Sequence, residues 1–227
     1  MIDMIERIIA AFVAGSIITL LVALWPKIKR SISRFRVLTR FEIDKAGIIG
    51  IWKNRFANGA ESELIERLRQ ARGEILMAGV ASPTLFRPGS PFYLESFKEK
   101  MEDPTFTFKV LLLDPKGKNA DERAKIERGR NTIRDIEGTI EFLKKIPTKA
   151  TIEVHTYDFP PLVYLVATNE CMFVEQYHFG QPRVDLGCAG GQVPLLLFKY
   201  ESDTYRVLKQ HFEYVWEEKS KEIIRRP

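Results

Sequence analysis

The chain has 227 residues, of which 45% are hydrophobic, 29% charged and 11% aromatic, a profile that excludes a disordered or fibrous protein. Its formal net charge of +5 is concentrated: residues 27–40 hold six cations and no acid, residues 1–26 sum to −1, and the rest of the chain balances to zero. The part after residue 40 therefore lacks the charge signature of a nucleic-acid-binding domain, and no nucleic-acid partner is expected.

The first predicted element is a membrane span. Ile8 to Trp25 runs 18 residues without a charge and is apolar on every face. At 1.5 Å per residue that is about 27 Å, close to the hydrocarbon thickness of a bilayer. Trp25 and Pro26 close it where an interfacial aromatic belongs. The six cations Lys27, Lys29, Arg30, Arg34, Arg36 and Arg40 follow at once. By the positive-inside rule they hold residues 27–227 in the cytoplasm, and they suit a surface of anionic headgroups. The small residues Ala10, Ala11, Ala14, Gly15 and Ser16 allow close helix approach, which favours self-association.

Beyond the basic stretch, residues 41–60 read as a connector with a short apolar element. Glu61 to Arg72 reads as a helix, with Leu64, Ile65, Leu68 and Ala71 at helical spacing and Gly73 as its stop. Glu74 to Val80 reads as a buried strand, and Ala81-Ser82-Pro83-Thr84 as the loop at its end. Pro91 to Met101 is expected to be a short helix. Thr105 to Leu113 is a second strand ending at Asp114-Pro115. Ala120 to Lys145 is expected as one long helix, with Ile126, Ile133, Ile136, Ile140 and Leu143 as its seam. Thr151 to Tyr157 is a third strand. Leu162 to Ala167 and Cys171 to Tyr177 form a hairpin over Thr168-Asn169-Glu170. Val193 to Phe198 is the last strand, and Ser202 to Ile224 the closing helix.

Strands separated by helices argue for a parallel sheet, with antiparallel pairing added by the hairpin. The expected fold is thus α/β: a mixed, mostly parallel sheet flanked by helices and preceded by one transmembrane helix. The expected division is a transmembrane helix over 1–26, a basic juxtamembrane linker over 27–45 and a cytoplasmic domain over 46–227. Cys171 and Cys188 sit in no zinc spacing and form no disulfide framework, so they read as reduced thiols. Neither a metal site nor a cofactor is expected.

From about Ala46 to Glu218 the chain resembles a single-copy phospholipase D-like domain. The pieces that carry the resemblance are Gly47-Ile48-Ile49-Gly50-Ile51-Trp52 followed by Arg55, the strand-loop EILMAGVASP, the strand-turn VLLLDP and the hairpin ending EQYHFG. These are similar to a bacterial subgroup without catalytic residues. The family's catalytic pattern is H-x-K-x(4)-D followed by a G-S-x-N turn. Laid on it, this sequence has Pro161, Val163 and Thr168 at the His, Lys and Asp positions, and Glu175, Gln176 and His178 in the turn. A proline cannot attack phosphorus and a valine cannot neutralise a phosphate, so the resemblance implies no catalytic residues. It also implies a homo-oligomer built on a dimer, since one-copy members pair.

Sites in open α/β sheets gather at the carboxyl ends of strands. That edge should carry Ser82, Thr84, Asp114, Tyr177 and His178. Arg123 is expected on the exposed first turn of the long helix, within reach of the same edge. Amides near Gly190 and Gly191 add donors for phosphate oxygens. His155 and His211 read as structural. The reading is a domain anchored in a bacterial or archaeal cell membrane that senses a phosphate-bearing ligand, a nucleotide among the candidates, in the manner of antiviral-defence effectors of similar layout. Two alternatives stay open: a divergent membrane-bound phosphodiesterase or phospholipase rebuilt around His178, and a membrane-tethered protein-interaction scaffold.

Overall fold

Strands form where β-branched and aromatic residues cluster, and helices where apolar residues recur every three or four positions. The computed structural model of the protein describes residues 43–82, 84–86, 90, 93–127, 131–161, 163–177 and 193–226. Among them no helix is long and apolar enough to cross a membrane. The apolar run Ile8–Trp25 and the whole basic stretch, residues 27–40, lie outside the described residues.

The elements in chain order are β1 (Ile48–Trp52), α1 (Ala60–Gln70), β2 (Glu74–Gly79), a π-helical turn (Tyr93–Phe97) running into α2 (Lys98–Met101), β3 (Thr107–Leu113), α3 (Lys118–Ile126), α4 (Thr132–Lys145), β4 (Thr151–Tyr157), β5 (Val163–Ala167), β6 (Cys171–Gln176), β7 (Leu195–Lys199), α5 (Asp203–Tyr214) followed by a π-helical turn (Val215–Lys219), and β8 (Ser220–Arg226). The eight strands make one sheet in the order β1-β7-β6-β5-β2-β3-β4-β8.

A mixed sheet flanked by helices is what the sequence predicts, but the sheet is mostly antiparallel rather than mostly parallel. Among the described residues only β2–β3 and β3–β4 run parallel. The pairs β1–β7, β2–β5, β4–β8, β5–β6 and β6–β7 are all antiparallel. The cause lies in the connections. Helical crossovers link only β2, β3 and β4, while β5 and β6 form a tight hairpin and the chain ends reverse onto the sheet's two margins.

Two element assignments also change. The stretch expected as one long helix breaks into α3 and α4. Asn131 caps the second, its side chain accepting from the Arg134 N–H at 3.0 Å. The closing helix stops at Tyr214, and Ser220–Arg226 is a strand paired with β4. A short apolar pair such as Ile223-Ile224 suits a last helical turn or a strand alike, and pairing with β4 buries Ile224.

Alternation gives the sheet two apolar faces. One face, including Ala78, Leu111 and Leu165, packs beneath Leu208, Phe212 and Val215 of the closing segment. The opposite face meets the other helices through contacts such as Phe97 against Phe108, ring centroids 5.5 Å apart and edge to face. Both rings are fully buried, and each burial stabilises by about 1.5–3 kcal/mol. Ser96 ties this layer to α1, its hydroxyl donating to the Ile65 carbonyl at 3.3 Å.

Candidate functional site

β5 runs antiparallel to β2, and β6 antiparallel to β5, so β6 runs in the same direction as β2. The carboxyl ends of β2, β3, β4 and β6 therefore share one edge, as the sequence predicts, though through an antiparallel hairpin rather than crossovers. Tyr177, just after β6, meets Val80, just after β2. The Val80 N–H donates to the Tyr177 hydroxyl at 3.1 Å.

Two buried ion pairs flank this meeting point. Arg55, in the turn after β1, donates through Nε to the Glu175 carboxylate at 2.8 and 3.1 Å, and its Nη2 closes a second contact with Oε2. Glu175 is 1% exposed, whereas the Arg55 side chain keeps 23%. The Arg55 guanidinium also lies over the Tyr164 ring, 4.5 Å from its centroid. Burial pushes the Glu175 carboxyl above its ordinary range, although the Arg55 hydrogen bond pulls the other way. Burial acts to lower the Arg55 guanidinium, yet Glu175 and the neighbouring tyrosines leave it raised and firmly charged.

The second pair is Arg123 with Glu127 on α3 and its C-cap. Arg123 Nε and Nη2 donate to Glu127 Oε1 at 2.8 and 2.6 Å, and the Thr132 hydroxyl donates to Oε2 at 3.3 Å. Arg123 is 3% exposed, which corrects the expectation of an exposed cation on an outer turn. Its guanidinium stands 5.0 Å from the centroid of the Tyr177 ring. Tyr177 thus has one arginine over its ring and the Val80 amide on its hydroxyl, and burial raises its own pKa.

Ser82 completes the cluster. Its backbone is in the left-handed region at φ 49°, costly for a non-glycine residue. It is buried, and its Oγ has no hydrogen-bond partner among the described residues. Gly79 makes room for it. A Cβ there would lie 3.0 Å from a Tyr164 ring carbon, 3.2 Å from Ser82 Oγ and 3.4 Å from the Tyr177 hydroxyl.

The other predicted residues fall elsewhere. Thr84 is exposed in the turn that follows Ser82. The Asp114 side chain accepts from the Lys116 N–H at 2.9 Å, closing its own turn, and faces a separate cleft beside α4. His178, Gly190, Gly191 and Cys188 lie outside the described residues. Val163 lines a small apolar pocket beneath α5, together with Leu208, His211 and Phe212. Thr168 serves the hairpin: its hydroxyl accepts from the Glu170 and Cys171 amides at 3.1 and 3.2 Å, and its carbonyl from the Tyr205 hydroxyl at 2.8 Å. His155 stacks on Trp216 with centroids 3.7 Å apart. Buried Cys171 is free, and burial pushes its thiol up to about 11, so it is inert. Among the described residues no group of three or more His, Cys, Asp or Glu side chains could hold a metal ion.

The Arg55–Glu175 and Arg123–Glu127 pairs are what sequence reasoning missed. The first joins residues 120 apart. The second has an i,i+4 spacing that reads equally well as a solvated surface pair.

No family model matches the chain, and no curated protein matches it in sequence. Solved structures that align with it include three of low identity. The chain aligns with the archaeal chromatin protein TrmBL2, whose structure shows a novel mode of DNA binding, at 14% identity and a TM-score of 0.44, covering 86% of this chain and 65% of that one. Alignment with NucT from Helicobacter pylori gives 10% identity and a TM-score of 0.39, over 69% of this chain and 87% of the other. Phosphatidylserine synthase from Haemophilus influenzae Rd KW20 gives 9% identity and a TM-score of 0.48, over 76% of this chain but 39% of its own length. The chain therefore spans less than two thirds of the first and third of these proteins, and none of the three sets its function.

Proposed function

We propose that the chain is a membrane-anchored, non-catalytic phospholipase D-like protein that senses a phosphate-bearing ligand at the strand-end edge. One observation carries the reading: Ser82 holds a buried hydroxyl without a described partner, on a strained backbone, beside the Tyr177 hydroxyl. An unsatisfied buried donor and a left-handed serine each cost on the order of 1–3 kcal/mol. A ligand oxygen accepting from both hydroxyls would offset that cost. The non-catalytic part is supported by the surroundings of Val163 and Thr168, one in an apolar pocket and the other inside a turn. Ligand binding would then alter how copies assemble at the membrane.

The test is calorimetry on the full chain in mild detergent, with nucleoside monophosphates, cyclic nucleotides and inorganic phosphate as probes. Ser82→Ala and Tyr177→Phe should each weaken the tightest probe by about tenfold, a hydrogen bond's worth. Ser82→Ala should leave the melting temperature of the free protein unchanged or higher, because it removes an unsatisfied group. Wild-type affinity in both variants would overturn the site. Turnover of a phosphodiester probe would favour the divergent-enzyme reading instead.

The membrane part of the proposal has its own check. With Cys171 and Cys188 replaced and a new cysteine added at the C-terminus, that thiol should resist an impermeant maleimide in intact cells and react after lysis. Labelling from outside would reverse the orientation derived from the six cations.

A further inference from the structure

A second cavity lies away from the Ser82–Tyr177 cluster, between α4, β4, β8 and the turn after β3. It holds about 350 Å³, inside the range of roughly 300–1,000 Å³ common for small-molecule sites. Lys116 enters it from the turn, Lys144 from α4 and Lys221 from β8, with Thr156 on the β4 wall. Three separate elements thus bring three lysines to the wall of one cleft.

The ion pairs nearby leave these lysines out. Lys145, next to Lys144, pairs with Glu141 at 2.6 Å, and Lys118 pairs with Glu122 at 3.5 Å. Arg225 of β8 pairs with Glu153 at 3.4 Å. Among the described residues Lys116, Lys144 and Lys221 have no carboxylate within 4.0 Å. The carboxylates of the same cleft are unequal. Asp114 is turned onto the Lys116 amide and Glu141 onto Lys145, which leaves Glu137 facing the cleft without an ion-pair partner among the described residues. Thr156 is 5% exposed, and its hydroxyl makes no hydrogen bond to the described residues. It is therefore a donor available at the cleft wall.

We propose that this cleft binds a small zwitterion, with a phosphate or carboxylate group among Lys116, Lys144 and Lys221 and an ammonium group against Glu137. Three compact cations suit a multiply charged oxyanion as point charges. A single unpaired carboxylate on α4 suits one ammonium. The three lysines and Glu137 are exposed at the cleft rim, so their substitution should leave the fold intact.

Calorimetry on the full chain in detergent tests it with O-phosphoethanolamine, 4-aminobutyrate and inorganic phosphate. At least one zwitterion should bind saturably, and the stronger of the two identifies the anionic group as phosphate or carboxylate. Lys144→Gln combined with Lys221→Gln should weaken that zwitterion at least tenfold. Glu137→Gln should weaken the zwitterion and leave inorganic phosphate as tight or tighter. Tyr177→Phe should change nothing, which keeps this site separate from the one proposed at the strand ends. Failure of both zwitterions to bind, or binding indifferent to the lysine pair or to Glu137→Gln, would overturn the proposal.

Discussion

Replacing Arg123 by alanine is expected to destabilise the protein by about 3–5 kcal/mol, the usual result of stripping one partner from a buried ion pair. Arg123 and Glu127 are 3% and 6% exposed, and two arginine nitrogens serve one carboxylate oxygen. Without the guanidinium, Glu127 keeps the Thr132 hydroxyl but loses this ion pair, and the Tyr177 ring loses the group stacked on it. For a chain of this size each kcal/mol moves the melting temperature by about 2–4 °C, so a drop on the order of 10 °C should appear in circular dichroism. The double variant Arg123→Ala, Glu127→Ala should melt above the single one, because the buried carboxylate that loses this pair is removed with it. A single variant melting within a couple of degrees of wild type would remove Arg123 from the buried framework.

That result would reverse what the sequence suggests about the same residue, and the reason is physical. Helical spacing locates Arg123 near the start of a helix, where an arginine is ordinarily solvated. Nothing local shows that α4 begins only at Thr132 with an Asn131 cap, or that Thr132 and Tyr177 close over the pair. The strand-end edge was legible because loop chemistry is local: Ser82 follows a strand of evident length, and Tyr177 ends a hairpin with a clear turn. The direction of the strands was less so. Periodicity reports burial and says nothing of which neighbour a strand chooses, so the predominance of antiparallel pairing stayed hidden. β8 was lost for a similar reason. Lys219, Lys221 and Glu222 are charges of both signs that suit an exposed helix or an edge strand alike, and only pairing with β4 decides.

Arg55→Met should show the other large effect, and its size should depend on pH. At pH 7 the loss is expected to be about 3 kcal/mol, the lower end for a broken buried pair because Arg55 itself retains some water. The stranded group is Glu175, 1% exposed, whose carboxyl burial holds above its ordinary value even with Arg55 in place. A carboxyl whose folded pKa exceeds its unfolded one binds its proton more tightly in the fold. Its contribution is therefore fully present below the unfolded pKa, 4.5 in the absence of perturbation, and is lost as pH rises through the folded value. Removing Arg55 takes away the hydrogen bond that opposes burial, so the folded value climbs further and the window widens toward neutrality. Melting curves from pH 5 to pH 7 should thus fall more steeply for Arg55→Met than for wild type. Adding Glu175→Gln to that variant should flatten the curve and recover part of the loss at pH 7, since an amide carries no charge to strand. Parallel profiles for wild type and Arg55→Met would mean that Glu175 reaches water when Arg55 is gone, and the pair would then be a surface contact worth less than about 1 kcal/mol.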